Sequence, residues 1–103
     1  MVKVIDSNKE PLEHDGVSTL VSPEIMQGKY CNVAQFKHTA NEFVFDFIFQ
    51  LDGQGILASR VLTSPVHAKL ILEALKDNIE RYEKAHGKIK VTKDMKKNMQ
   101  ELQ

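Results

Sequence analysis

Cysteine occurs once in this chain, tryptophan not at all and proline three times, and neither sign of charge is in excess. Each shortage removes a class of protein. The lone Cys31 excludes a disulfide framework and a cysteine-built zinc site. A formal net charge of zero argues against capture of nucleic acid or an anionic membrane by the domain as a whole. No apolar run approaches the length of a membrane span, and the N-terminus has neither the basic start nor the apolar core of a signal peptide. The expectation is a soluble, cytoplasmic protein. The four histidines are scattered without ligand spacing, so neither a metal nor another cofactor is expected.

What is present is a patterned centre between two polar ends. Residues 1–16 read as a flexible leader, with one short strand at Val2 to Ile5. Residues 17–87 read as a single α+β domain, and residues 88–103 as a lysine-rich C-terminal tail, frayed or dependent on a partner. Within the domain, Ser18 to Val21 fits a short edge strand. Ser22-Pro23-Glu24 fits the start of one helical turn that stops at Gly28.

Two strands follow, Tyr30 to His38 and Glu42 to Leu51. The second alternates strictly. Phe43, Phe45, Phe47, Phe49 and Leu51 share one face, and Val44, Asp46, Ile48 and Gln50 share the other. A four-residue loop over Thr39 to Glu42 sets Phe36 opposite Phe45 and Val33 opposite Ile48. Asp52-Gly53-Gln54-Gly55 is the next turn, and Ile56 to Thr63 the third strand. Pairing Asp46 with Arg60 and Phe45 with Val61 satisfies both the charge and the aromatic wall, so Asp46 and Arg60 form a candidate structural ion pair.

The stretch after the third strand opens with Ser64 as N-cap and Pro65 at the first helical position. It runs as one long helix to His86, and Gly87 supplies the C-cap. Ala68, Leu72, Leu75, Ile79, Tyr82 and His86 recur at helical spacing, and Ile71 widens their stripe. That stripe is expected to cover the phenylalanine face. Val66, Leu70 and Ala74 point nearly the other way.

The predicted fold is therefore a three- to four-stranded antiparallel meander followed by one long helix packed on the sheet. One helix cannot cover both faces of a sheet. Val33, Val44 and Ile48 on the sheet, with Val66, Leu70 and Ala74 on the helix, are the candidate interface of a homodimer or higher oligomer.

No set of residues makes a catalytic signature. Asp46, Arg60, His67, His38 and Tyr82 are the titratable groups from which a site would have to be built. His67 lies in the first helical turn, where a neutral imidazole is favoured. Its hydroxyl neighbours are Thr63 and Ser64, and Ser64 is already used as a cap. There is no nucleophile elbow, phosphate loop or metalloprotease helix, and Cys31 reads as a small core residue.

The segments Gly28-Lys29-Tyr30-Cys31-Asn32, Asn41-Glu42-Phe43-Val44-Phe45-Asp46-Phe47, Leu62-Thr63-Ser64-Pro65-x-His67-Ala68-Lys69 and Asn78-Ile79-x-x-Tyr82-Glu83 together resemble a small bacterial family of unknown function, DUF3467. The resemblance runs from about Leu20 to Gly87 and leaves the leader and the tail outside it. It implies no activity, cofactor or catalytic residue. At the level of fold, strands followed by a proline-started helix are similar to the SecB-type export chaperones, which assemble through sheets and helices and hold unfolded chains in hydrophobic grooves. The expected function is a non-enzymatic oligomeric binding or scaffolding module for extended polypeptide. One alternative is an accessory nucleic-acid binder using Lys88, Lys90, Lys93, Lys96 and Lys97. The other is an enzyme centred on Asp46, Arg60 and His67.

Overall fold

A computed structural model describes residues 12–14 and 16–100 of the chain. The expected strand at Val2 to Ile5 lies outside the described residues. The chain divides into two compact units, Met1–Tyr30 and Cys31–Gln103. The division falls inside the stretch read as one domain, and the second unit takes in the tail as well.

In the first unit, β1 (Leu12–His14) and β2 (Val17–Thr19) form an antiparallel hairpin in which His14 is paired with Val17. Gly16, just before β2, sits at φ 77°, a left-handed value that glycine adopts without penalty. The end of the expected leader is thus a strand. α1 (Pro23–Gln27) follows, capped by Ser22, whose Oγ accepts the Ile25 N–H at 3.4 Å, and closed by Gly28, whose N–H donates to the Ile25 carbonyl at 3.0 Å.

The second unit is a three-stranded antiparallel sheet in the order β3 (Val33–His38), β4 (Phe43–Leu51), β5 (Gln54–Thr63). Its first loop is Thr39 to Glu42. The Thr39 N–H donates to the Glu42 carbonyl at 2.9 Å, and Thr39 Oγ1 accepts the N–H groups of Asn41 and Glu42. Phe36 lies opposite Phe45 and Val33 opposite Ile48. The turn between β4 and β5 is tighter than expected. Leu51 pairs directly with Gln54, and Asp52 and Gly53 take φ 51° and 77°, the two left-handed values of a type I′ turn. That register and the pairing of Asp46 with Arg60 differ by one residue. A bulge at Ala58 absorbs the difference, because Phe47 pairs with Ser59 and Ile48 with Leu57. Leu57 therefore joins the Ile48 face, and Ile56 joins the phenylalanine face.

α2 (Pro65–His86) follows β5 after the single residue Ser64. Ser64 Oγ accepts the His67 N–H at 3.1 Å, and the Gly87 N–H donates to the Glu83 carbonyl at 2.9 Å. The described part of the tail, up to Gln100, is tied to α2 and carries a helix. The Ile89 N–H donates to Glu83 Oε2 at 2.9 Å, and Thr92 caps α3 (Lys93–Gln100) by accepting the Met95 N–H. α3 lies beside β3.

α2 flanks the phenylalanine face without sealing it. None of its 22 residues is buried, and Leu72 and Leu75, in the middle of the sheet-facing stripe, remain 65% and 56% exposed. Among the described residues the buried hydrophobic set is Val21, Val33 and Phe45. The expected antiparallel meander followed by one long helix on the sheet is present, with the helix stripe facing the phenylalanines and left partly in water. Cys31 is corrected: it is exposed, not part of a core.

Candidate functional site

The phenylalanines of β4 line up because a strand sends alternate side chains to one face. Phe45 is the best covered, held edge-to-face by Phe36 at 5.2 Å and by Phe47 at 6.4 Å between ring centroids. Across from these rings, the spacing of α2 brings Ala68, Ile71, Leu72 and Leu75 to the same side. Between them runs an apolar groove of about 320 Å³, floored by Phe36, Phe43, Phe45 and Phe47 and walled by those four helix residues. Among the described residues no titratable side chain lines it. Such a groove binds by removing apolar surface from water, at roughly 25 cal/mol per Å².

The opposite face of the sheet carries the ion pair. Asp46 is only 2% exposed, although it does not lie in a core. Arg60 covers it from β5 with a two-pronged contact, Nε to Oδ1 at 2.7 Å and Nη2 to Oδ2 at 3.0 Å. Lys37, on β3, adds Nζ to Oδ2 at 3.1 Å. Both cations stay about half exposed, so they form the roof between the carboxylate and water. The Arg60 hydrogen bond holds the Asp46 carboxyl down at about 2; burial pushes the other way and Lys37 adds to the lowering. Arg60 is raised in turn by the same contact. A carboxylate held so low, with both oxygens already accepting, is a poor general base.

The expected interface residues fall on two separate surfaces. Val33 is buried and Ile48 half-buried in a shallow hollow of about 340 Å³ that Gln50, Gly55 and Leu57 complete; Val44, half-buried, lies two positions before Asp46 on the same face. Val66, Leu70 and Ala74 are exposed on α2, where Leu70 and Ala74 border a notch with Glu73, Lys76, Asp77 and Glu80. His67 is exposed, with Nδ1 2.8 Å from Ser64 Oγ, at the start of α2. Neither it nor the Asp46 cluster borders the phenylalanine groove. His38 stacks on Phe43 at 5.4 Å, and Tyr82 lies against His86 at 4.9 Å. Among the described residues no group of three His, Cys, Asp or Glu could hold a metal ion, and no helix is long and apolar enough to cross a membrane.

Residues 3–91 match the family model for a protein of unknown function, DUF3467. The chain belongs to this family. The DUF3467 match begins well before Leu20, so most of the expected leader and the start of the tail fall within the family's extent, not outside it. No curated protein and no solved structure matches the chain.

Sequence reasoning missed the groove as a surface. Its residues were legible as apolar, but their alternation and helical spacing say only that they face one another. Asn32 was missed as well. Its side chain takes the place of a strand residue, with Nδ2 donating to the Gln50 carbonyl at 2.8 Å and Oδ1 accepting the Gln50 N–H at 2.9 Å.

Proposed function

We propose that this DUF3467 protein is a non-enzymatic, self-associating binding or scaffolding module whose client is extended, apolar polypeptide. The observation that carries this reading is the open groove between α2 and the phenylalanine face. A folded domain rarely leaves the inward stripe of its longest helix half in water unless something else covers it. An extended chain suits such a groove, because its alternate side chains can enter while its backbone stays solvated.

The test is suppression of aggregation. A reduced, unfolded substrate is diluted from denaturant with increasing amounts of the protein, and turbidity is followed. Dose-dependent suppression, lost on salt-independent competition by an apolar peptide, is the expected result. No effect at molar excess sinks the proposal.

A further inference from the structure

The two edges of the sheet are not alike. β3 is six residues long, carries Lys37 and His38, and has α3 beside it. β5 is ten residues long, contains neither lysine nor proline, and ends the sheet with no strand on its outer side among the described residues. Its one charge, Arg60, is occupied by Asp46. Ile56 and Val61 on one face and Leu57 and Leu62 on the other are all exposed. Apart from its bulge at Ala58, a long apolar edge strand without lysine or proline is a template for a further strand.

We infer that β5 pairs antiparallel with β5 of a second copy of this chain, making one six-stranded sheet. This rests on the self-association in the proposed function and names its surface. A second copy fits better than a lone foreign strand for three reasons. Only Ser64 separates β5 from α2, so a second β5 brings its own helix with it. A two-fold axis normal to the sheet then lays the two α2 helices antiparallel on the same face, beside the stripe each leaves exposed. Ile56, Leu57, Val61 and Leu62 are each about half exposed or more and, at on the order of 100 Å² each, offer roughly 400 Å² per copy, to which the paired backbone and the flanks of α2 add toward the roughly 800 Å² per partner of a stable interface. The charges also match. Lys69, Glu73, Lys76 and Glu80 recur at spacings of four and three along one side of α2, and the ion pairs among the described residues do not join them to one another. Read antiparallel about Ala74 and Leu75, the column sets Lys69 against Glu80 and Glu73 against Lys76 of the other copy.

Light scattering on the full chain at micromolar concentration, with hydrogen exchange on the same samples, tests this. The wild type is expected as a dimer whose β5 amides are protected, and Ile56→Lys with Leu62→Lys as a monomer with unchanged circular dichroism and fast β5 exchange. If that variant does not fold, the charge variants decide: Lys69→Glu with Lys76→Glu, and Glu73→Lys with Glu80→Lys, each associate at least tenfold more weakly alone and recover when mixed. A dimer untouched by either set overturns the β5 pairing while leaving self-association standing. A wild-type monomer overturns self-association itself. A monomer whose β5 amides become protected only when an unfolded client is added assigns the edge to the client and overturns the pairing, leaving the client-binding reading intact.

Discussion

Asp46 and Arg60 face each other across β4 and β5, joined by two hydrogen bonds of 2.7 and 3.0 Å, and Arg60 lies over the carboxylate like a lid. The arrangement explains how a charged residue can occupy the middle of the most apolar strand in the chain. Its partners, not the core, remove it from water.

Acid should reveal this pair. The folded carboxyl titrates at about 2, below its ordinary 3.8. The unfolded chain therefore takes up the proton first, and stabilisation that is complete above about pH 4 is lost as the pH falls toward 2. Urea midpoints of the wild type are expected to drop across that window. Asp46→Asn has no carboxyl to titrate, so its contribution to the slope disappears. At neutral pH the same variant leaves Arg60 and Lys37 side by side without their anion, and its melting temperature is expected several degrees below wild type. Equal acid slopes for the two proteins would refute the assignment.

The ends of α2 make separate predictions. Ser64 Oγ accepts the His67 N–H. Ser64→Ala should therefore cost about 1 kcal/mol, and Ser64→Asp should recover most of it. Gly87 has open space where a Cβ would go, but its φ is 93°. Gly87→Ala should thus cost about 1 kcal/mol from backbone strain alone, with no clash to relieve. Denaturant unfolding with an unchanged m-value checks both.

How much of this was readable in the sequence depended on how many residues carried each signal. Nine alternating residues fixed the faces of β4, and the segregation of Phe36 and Val33 fixed its register with β3. β1 and β2 have three residues each, too few for a period to show. The bulge at Ala58 was hidden because strict alternation was assumed along β5. The observed two-residue Asp52-Gly53 turn and the Asp46–Arg60 pair coexist only because of that extra residue. Tyr30 to Asn32 was read as strand, but β3 begins at Val33; Asn32 still extends the ladder, its backbone N–H donating to the Ile48 carbonyl and its side chain bonding to Gln50. The open groove was illegible for a simpler reason: a pattern shows which residues face inward, not whether the gap closes.

Asn32 offers a test of its side-chain bonds to Gln50. Asn32→Asp keeps the acceptor for the Gln50 N–H but loses the donor to the Gln50 carbonyl. Asn32→Ala loses both. Each variant should lose about 1 kcal/mol or less per exposed hydrogen bond removed, and the aspartate in addition sets a carboxylate oxygen against the Gln50 carbonyl oxygen. Exchange of the Gln50 amide should accelerate in the alanine variant first. Equal stability of all three proteins would mean that water replaces the asparagine without loss.

The groove predicts a separation of stability from function. Leu72 lines it, yet the side chain is more than half exposed, so little of it is removed from water on folding. Leu72→Lys should therefore shift folding stability by about 0.5 kcal/mol or less, as surface substitutions do. The same change puts an ammonium group into a groove otherwise lined by hydrocarbon and aromatic rings. Suppression of client aggregation should fall at least several-fold at equal protein concentration. Phe45→Ala makes the contrast. Phe45 is buried, so its truncation should cost about 3–5 kcal/mol and lose structure together with activity. Parallel titrations of the two variants, with circular dichroism on the same samples, separate the outcomes. If Leu72→Lys protects a client as well as the wild type while remaining folded, the groove is not where the client binds.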